Sequence, residues 1–211
     1  MRVITSALLA MILLILPGCG GGGGAYQSTI DTYSFTGIIT YIYGNPSNGV
    51  SVGMPVTGTF SVDRSSVGNS STNIPNITVY PQPSYTSVMI TVGALTFNGS
   101  FPNYTVTVCD NVFERSTPVI IGDQFNWQSI DPTLGTNSPI TTTIANFSLG
   151  DGTGLLFSGT SLPTNLSIDS FPQRNLSIAN IAGAFTIGQP GEYAINWLIF
   201  ASIDTLEPVT K

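Results

Sequence analysis

An all-β fold, a single antiparallel β-sandwich of jelly-roll type, is predicted by three features of the sequence. Apolar and polar residues alternate with period two through much of the chain after residue 25, the mark of strands with one buried and one solvated face, instead of recurring at i, i+3 and i+4 as on a helix. Turn-forming clusters interrupt these runs, among them Gly44-Asn45-Pro46-Ser47-Asn48-Gly49, Asp151-Gly152-Thr153-Gly154 and Gln189-Pro190-Gly191. Fourteen prolines leave no stretch that reads as a capped amphipathic helix. The spacing suits about ten to twelve strands in one domain, residues 26–211.

The strands follow in chain order. Residues 33–43 alternate, and residues 56–63 do so most cleanly: Val56, Gly58, Phe60 and Val62 face a core while Thr57, Thr59, Ser61 and Asp63 face water. Residues 65–83, rich in Ser, Asn and Pro, read as a long loop or a weak strand pair. Residues 88–92 and 104–108 resume the alternation. In residues 193–203, Tyr193, Ile195, Trp197, Ile199, Ala201 and Ile203 share one face, and the opposite face is mixed enough for a central strand contacted on both sides.

Three of these stretches carry a family likeness. Phe35-Thr-Gly-Ile-Ile-Thr40, Val52-Gly-Met-Pro-Val-Thr-Gly-Thr-Phe-Ser-Val-Asp63 and Val92-Gly-Ala-Leu-Thr-Phe97, in that order, resemble an uncharacterised extracellular β-sandwich common in bacterial exported proteins of the PEP-CTERM type. The resemblance implies a sandwich fold and no particular activity. Unlike that group, this sequence reaches Lys211 without a sorting helix.

The leader gives an address. Arg2 precedes a mostly apolar run over residues 3–16, shorter than the roughly 20 residues a membrane span needs and suited to a signal-peptide core. Leu16-Pro17-Gly18-Cys19 at its end resembles the lipobox of bacterial lipoproteins. That resemblance implies a signal peptide over residues 1–18, diacylation of the Cys19 thiol, and a membrane partnership through the lipid. Two or more acyl chains, at about 0.8 kcal/mol per buried methylene, anchor firmly. Residues 19–25 then form the lipidated cysteine and a Gly20–Gly24 tether. Gly20 in place of an aspartate implies outer-membrane or surface placement. Plain secretion is the alternative. Lipidated Cys19 leaves Cys109 without a partner; a Cys19–Cys109 bridge requires that lipidation fail.

Composition narrows the chemistry. The 211 residues include 5 Lys plus Arg, 11 Asp plus Glu and no His, for a formal charge of −6. Without His and with two Cys, these residues cannot build a Ser-His-Asp triad, a Cys-His pair or a His-ligated zinc site. So few cations do not match a phosphate backbone, and no nucleic-acid partner is expected. Ser, Thr and Asn number 23, 26 and 15, which favours turns and neutral strand surfaces.

The remaining candidates are few. Glu114, Asp123, Asp131, Asp151 and Glu192 are acids that could pair as a polysaccharide hydrolase if two faced each other across a cleft. Asp151-Gly-Thr-Gly is a carbonyl-rich loop, either a calcium site or simply a turn; no other cofactor is expected. Tyr80, Tyr85, Trp127 and Tyr104 could stack on a sugar. Trp127, with Phe125 on its face, reads more simply as a core residue, and Tyr80 and Tyr85, beside Pro81 and Pro83, are expected at the surface. Cys109 beside Asp110 reads as an inert thiol. Seven Asn-x-Ser/Thr triplets include Asn146-Phe147-Ser148 and Asn175-Leu176-Ser177, where period two makes a surface-core-surface pattern. The functional expectation is a non-enzymatic, lipid-anchored envelope protein that contacts a glycan or another envelope protein. The alternatives are a carboxylate hydrolase and a structural surface-coat subunit.

Overall fold

The computed structural model describes residues 29–46, 49–71, 76–100, 104–113, 120–131, 141–182 and 194–210. The leader and tether, including Cys19, lie outside the described residues, as do Glu114, Glu192 and the Gln189-Pro190-Gly191 turn. Eleven strands are formed among the described residues: β1 (Ile30–Gly44), β2 (Pro55–Asp63), β3 (Asn69–Ser70), β4 (Ile77–Pro81), β5 (Ser87–Val92), β6 (Leu95–Ser100), β7 (Tyr104–Phe113), β8 (Ile120–Asp131), β9 (Thr141–Asp151), β10 (Gln173–Ala182) and β11 (Ala194–Pro208). One short 3₁₀ turn, Ile168–Ser170, is the only helical element among the described residues, and no helix there is long and apolar enough to cross a membrane. The all-β class is as expected.

All eleven strands belong to one antiparallel sheet in the order β3-β4-β7-β8-β9-β10-β11-β1-β2-β5-β6. Connectivity forces that sheet to curl. The links β2 to β3, β4 to β5 and β6 to β7 each join strands eight positions apart in the sheet order. Laid flat, eight interstrand steps would span about 38 Å, whereas a five-residue link reaches at most about 20 Å. The ends of the sheet therefore fold over one another, and β6 packs across β8 and β9. At the closest point Gly99 of β6 faces Ser129 of β8: a Cβ on residue 99 would stand 1.9 Å from the serine Oγ, so only glycine fits.

The curl encloses a core centred on Phe60. Its ring lies 5.2 Å from that of Phe147, 5.3 Å from Tyr33 and 5.8 Å from Trp127. Trp127 stacks in parallel on Phe147 at 5.4 Å. The alternation in β2 is close to expectation, with Val56, Phe60 and Val62 buried; Ser61 and Asp63 are buried as well, because the strand's end is covered by the link that follows β4. The even face expected along residues 193–203 is broken. A register shift between β10 and β11 near Asn196 leaves Ile195 exposed, and a second shift, against β1 between Thr36 and Gly37, brings Leu206 inward after Ile203.

Candidate functional site

The connection from β9 to β10, residues 152–172, is long for a compact β domain, and a long ordered loop with almost no secondary structure is a place where function concentrates. It is fastened at three points. At its start, Asp151 ends β9 and bends back on the chain: one carboxylate oxygen accepts the Thr153 amide at 3.1 Å and the other the Thr153 hydroxyl at 2.5 Å. These bonds, the hydroxyl's first, hold the Asp151 carboxyl below its ordinary value. Directly across the ladder is Asp123, fully buried. Its Oδ2 accepts the amides of Leu156 and Phe157, both at 2.6 Å, and its Oδ1 accepts the amide of Asn111 at 2.9 Å. Gly122, at φ 63°, allows β8 to pass this close to Asp151, whose carbonyl would lie 2.1 Å from any Cβ.

The middle of the loop is held from β4. The Tyr80 hydroxyl donates to the Thr160 carbonyl at 2.7 Å, and the hydroxyls of Thr78 and Thr160 meet at 2.7 Å. Near the end, Leu166 and Phe171 are buried in the main core, the Tyr33 hydroxyl meets the backbone of Leu166, and Arg174 Nε donates to the Phe171 carbonyl at 2.5 Å.

Between these fastenings the loop encloses an open cavity of about 480 Å³, within the range of small-molecule sites. Leu156, Phe157, Leu162 and Phe171 form its apolar wall, and the Phe157 and Phe171 rings meet edge to face at 6.1 Å. Beside Gly159 and Pro163, hydroxyls and an amide complete the lining, from Ser158, Ser161, Thr164, Asn165, Ser167 and Ser170. Among the described residues no charged side chain lines it. Such a wall can pack against C–H surface and exchange hydrogen bonds with neutral hydroxyls.

The residues singled out from sequence separate into three groups. Tyr80 and Asp151 both belong to the loop's fastenings, half-buried and buried, with their polar atoms used to shape the chain. Tyr85 is 61% exposed, and its hydroxyl donates to the buried carboxylate of Asp63. Trp127 fills the core, as its pairing with Phe125 suggested, which removes it from the sugar-binding candidates: it is wholly enclosed between Phe60, Tyr104 and Phe147, and no face of its ring is open to a sugar. Tyr104 is buried too. Asp123 and Asp151 come together as turn anchors whose carboxylate oxygens receive N–H and O–H donors. Among the described residues no group of three or more Cys, Asp or Glu is placed to hold a metal ion. Cys109 is buried, and burial pushes its thiol up to about 11.

The pocket walls were not singled out from sequence, because residues 156–171 show no alternation, and the Asn165-Leu166-Ser167 triplet there is one of seven. The visible signal was length alone, a gap between Asp151 and Gln173 too long for a hairpin turn. No family model, curated protein or solved structure matches the chain.

Proposed function

We propose that this chain is a non-enzymatic, lipid-anchored protein of the bacterial cell envelope that binds a neutral, hydroxyl-bearing ligand, a glycan, in the cavity of the 152–172 connection. The observation that carries the binding role is the cavity itself, an ordered, charge-free pocket with an aromatic wall and a fringe of hydroxyls. The anchor rests on Leu16-Pro17-Gly18-Cys19 and the glycines after it. Ten residues separate Cys19 from Ile30, where β1 begins, a reach of at most about 35 Å. Tyr33, near the start of β1, touches Leu166 of the loop, so the pocket lies toward the tethered end of the domain. The non-enzymatic reading is supported by the buried aspartates, whose oxygens are occupied in holding loops.

Two measurements test this. Cys19→Ser is expected to move the protein from the membrane fraction to the soluble fraction and to abolish labelling by a clickable fatty acid; unchanged labelling removes the anchor from the proposal. A screen of immobilised envelope and plant glycans, with and without chelator and with analysis of released sugar, is expected to find binding without release. Weakening by Phe157→Ala by about tenfold, the order expected for an aromatic contact, assigns it to the pocket. Released sugar favours a hydrolase instead.

A further inference from the structure

The outer face of the sheet carries a pattern the pocket does not use. Across the register, Tyr41 faces Phe200, then follow Ser177, Asn146, Gln128 and Thr105, one residue from each of six neighbouring strands. The next row along the same face reads Ile38, Ser202, Asn175, Ser148, Asn126 and Thr107. None of these side chains is buried and none is charged. On the far side of the first row the face turns apolar, with Tyr43, Leu198, Ala179, Ile144 and Ile130 in register. The two polar rows thus form a ribbon, five interstrand steps or about 24 Å long, with an aromatic pair at one end: the Tyr41 and Phe200 rings lie 6.1 Å apart and are 52% and 39% exposed.

The chemistry of the ribbon is specific in what it lacks. Carboxamides and hydroxyls each donate and accept, so they match sugar hydroxyls, and exposed aromatic rings match the C–H faces of a pyranose. Among the described residues an anionic polymer would find no cation here: Arg64 is paired with Asp31 and Arg174 turns to the Phe171 carbonyl. The strand spacing of about 4.8 Å is close to the length of one sugar in an extended chain, so successive strands can meet successive sugars. Two of the Asn-x-Ser triplets, Asn146-Phe147-Ser148 and Asn175-Leu176-Ser177, build the middle of the ribbon, each with its apolar residue in the core.

We infer that this face is a platform for an extended, neutral polysaccharide lying across the strands, with one sugar ring on Tyr41 and Phe200 and the following units hydrogen-bonded to the amides of Asn146, Gln128, Asn175 and Asn126. The inference shares the glycan chemistry of the proposed function but stands on different residues.

The test uses the full chain in a detergent without a sugar head group. The probes are β-linked gluco-, manno- and N-acetylglucosamine oligosaccharides from dimer to hexamer, with oligogalacturonate as the anionic counterpart. Affinity for one neutral series is expected to rise with every added unit through the pentamer, and oligogalacturonate to bind more weakly. Phe200→Ala and Asn146→Ala, both at the surface, are each expected to weaken the hexamer by about tenfold without changing the melting temperature, while Phe157→Ala in the pocket leaves it unchanged. The platform is overturned by affinity that stops rising after the dimer, by loss with Phe157→Ala but not Phe200→Ala, or by absence of binding to all three series. It is equally overturned if Phe200→Ala alters only the sedimentation coefficient, which makes the face a contact between copies. The pocket reading fails separately, when Phe157→Ala leaves the glycan found in its own screen as tightly bound as before.

Discussion

Burial alone would raise the carboxyl of Asp63, but hydrogen bonds from the Tyr85 hydroxyl, the Ser65 amide and the hydroxyls of Thr29 and Ser65 outweigh it and hold the group at about 2. Because this lies below the ordinary carboxylate value of 3.8, the contribution to stability is complete above about pH 4 and is lost as pH falls toward 2. Tyr85→Phe removes one donor, so the acid-unfolding midpoint, followed by circular dichroism, is expected to move to higher pH; an unchanged midpoint contradicts the assignment. Asp123→Asn tests the loop anchor. The amide keeps one acceptor oxygen where three backbone N–H groups now find two, at a cost of about 1–3 kcal/mol, and hydrogen exchange at Leu156 and Phe157 is expected to accelerate more than exchange in β1. Ser129 offers the opposite sign. Its buried hydroxyl has no partner, so Ser129→Ala is expected to stabilise the fold by up to about 1 kcal/mol in a urea titration. Trp127 shows why single residues were hard to place from sequence: alternation assigns it the face of Phe125, but whether that face is core or cleft depends on how the sheet curls.

Strands were legible where one face is dry and the other wet, as in β1, β2 and β5. They were less so where both faces are polar or irregular: residues 65–83, which read as either a long loop or a weak strand pair, contain β3 and β4, two and five residues long. β9 and β10 carry the same alternation, yet their exposed amides resemble glycosylation triplets as much as strand surface. The 152–172 loop was invisible as a pocket, because its shape comes from bonds to Asp123, Thr78 and Tyr80, far away in sequence. At this scale the Gly99 to Ser129 approach is a sharp test of the curl. Gly99→Ala is expected to destabilise by about 1–3 kcal/mol through overpacking, and the double variant with Ser129→Gly to recover much of that loss; independent, additive effects would place β6 elsewhere.

For the molecule as a whole, the all-β class and a strand number within ten to twelve among the described residues could be read in advance, while the strand order could not, since the period-two pattern says which residues face inward but not which strand is the neighbour. The aromatic cluster around Phe60 joins the two folded-over parts of the sheet, drawing on β1, β2, β8 and β9. Phe60→Ala is expected to cost about 3–5 kcal/mol, and tryptophan fluorescence and circular dichroism should lose their signals together, because the rings form one cooperative unit.

In the middle of the sheet β1 pairs with β11, and the Thr36 and Thr205 hydroxyls that meet across that seam at 2.8 Å are 169 positions apart. One edge of β1 pairs with β2, the next strand in sequence, but its other edge has no partner until β11 is available. Local hairpins can form and dissolve meanwhile, but the sheet cannot close behind them, and pairing this distant is slow. The topology therefore works as a timing device: the seam between the β7–β11 part of the sheet and the β1–β2 part closes only when β11 is available to pair with β1.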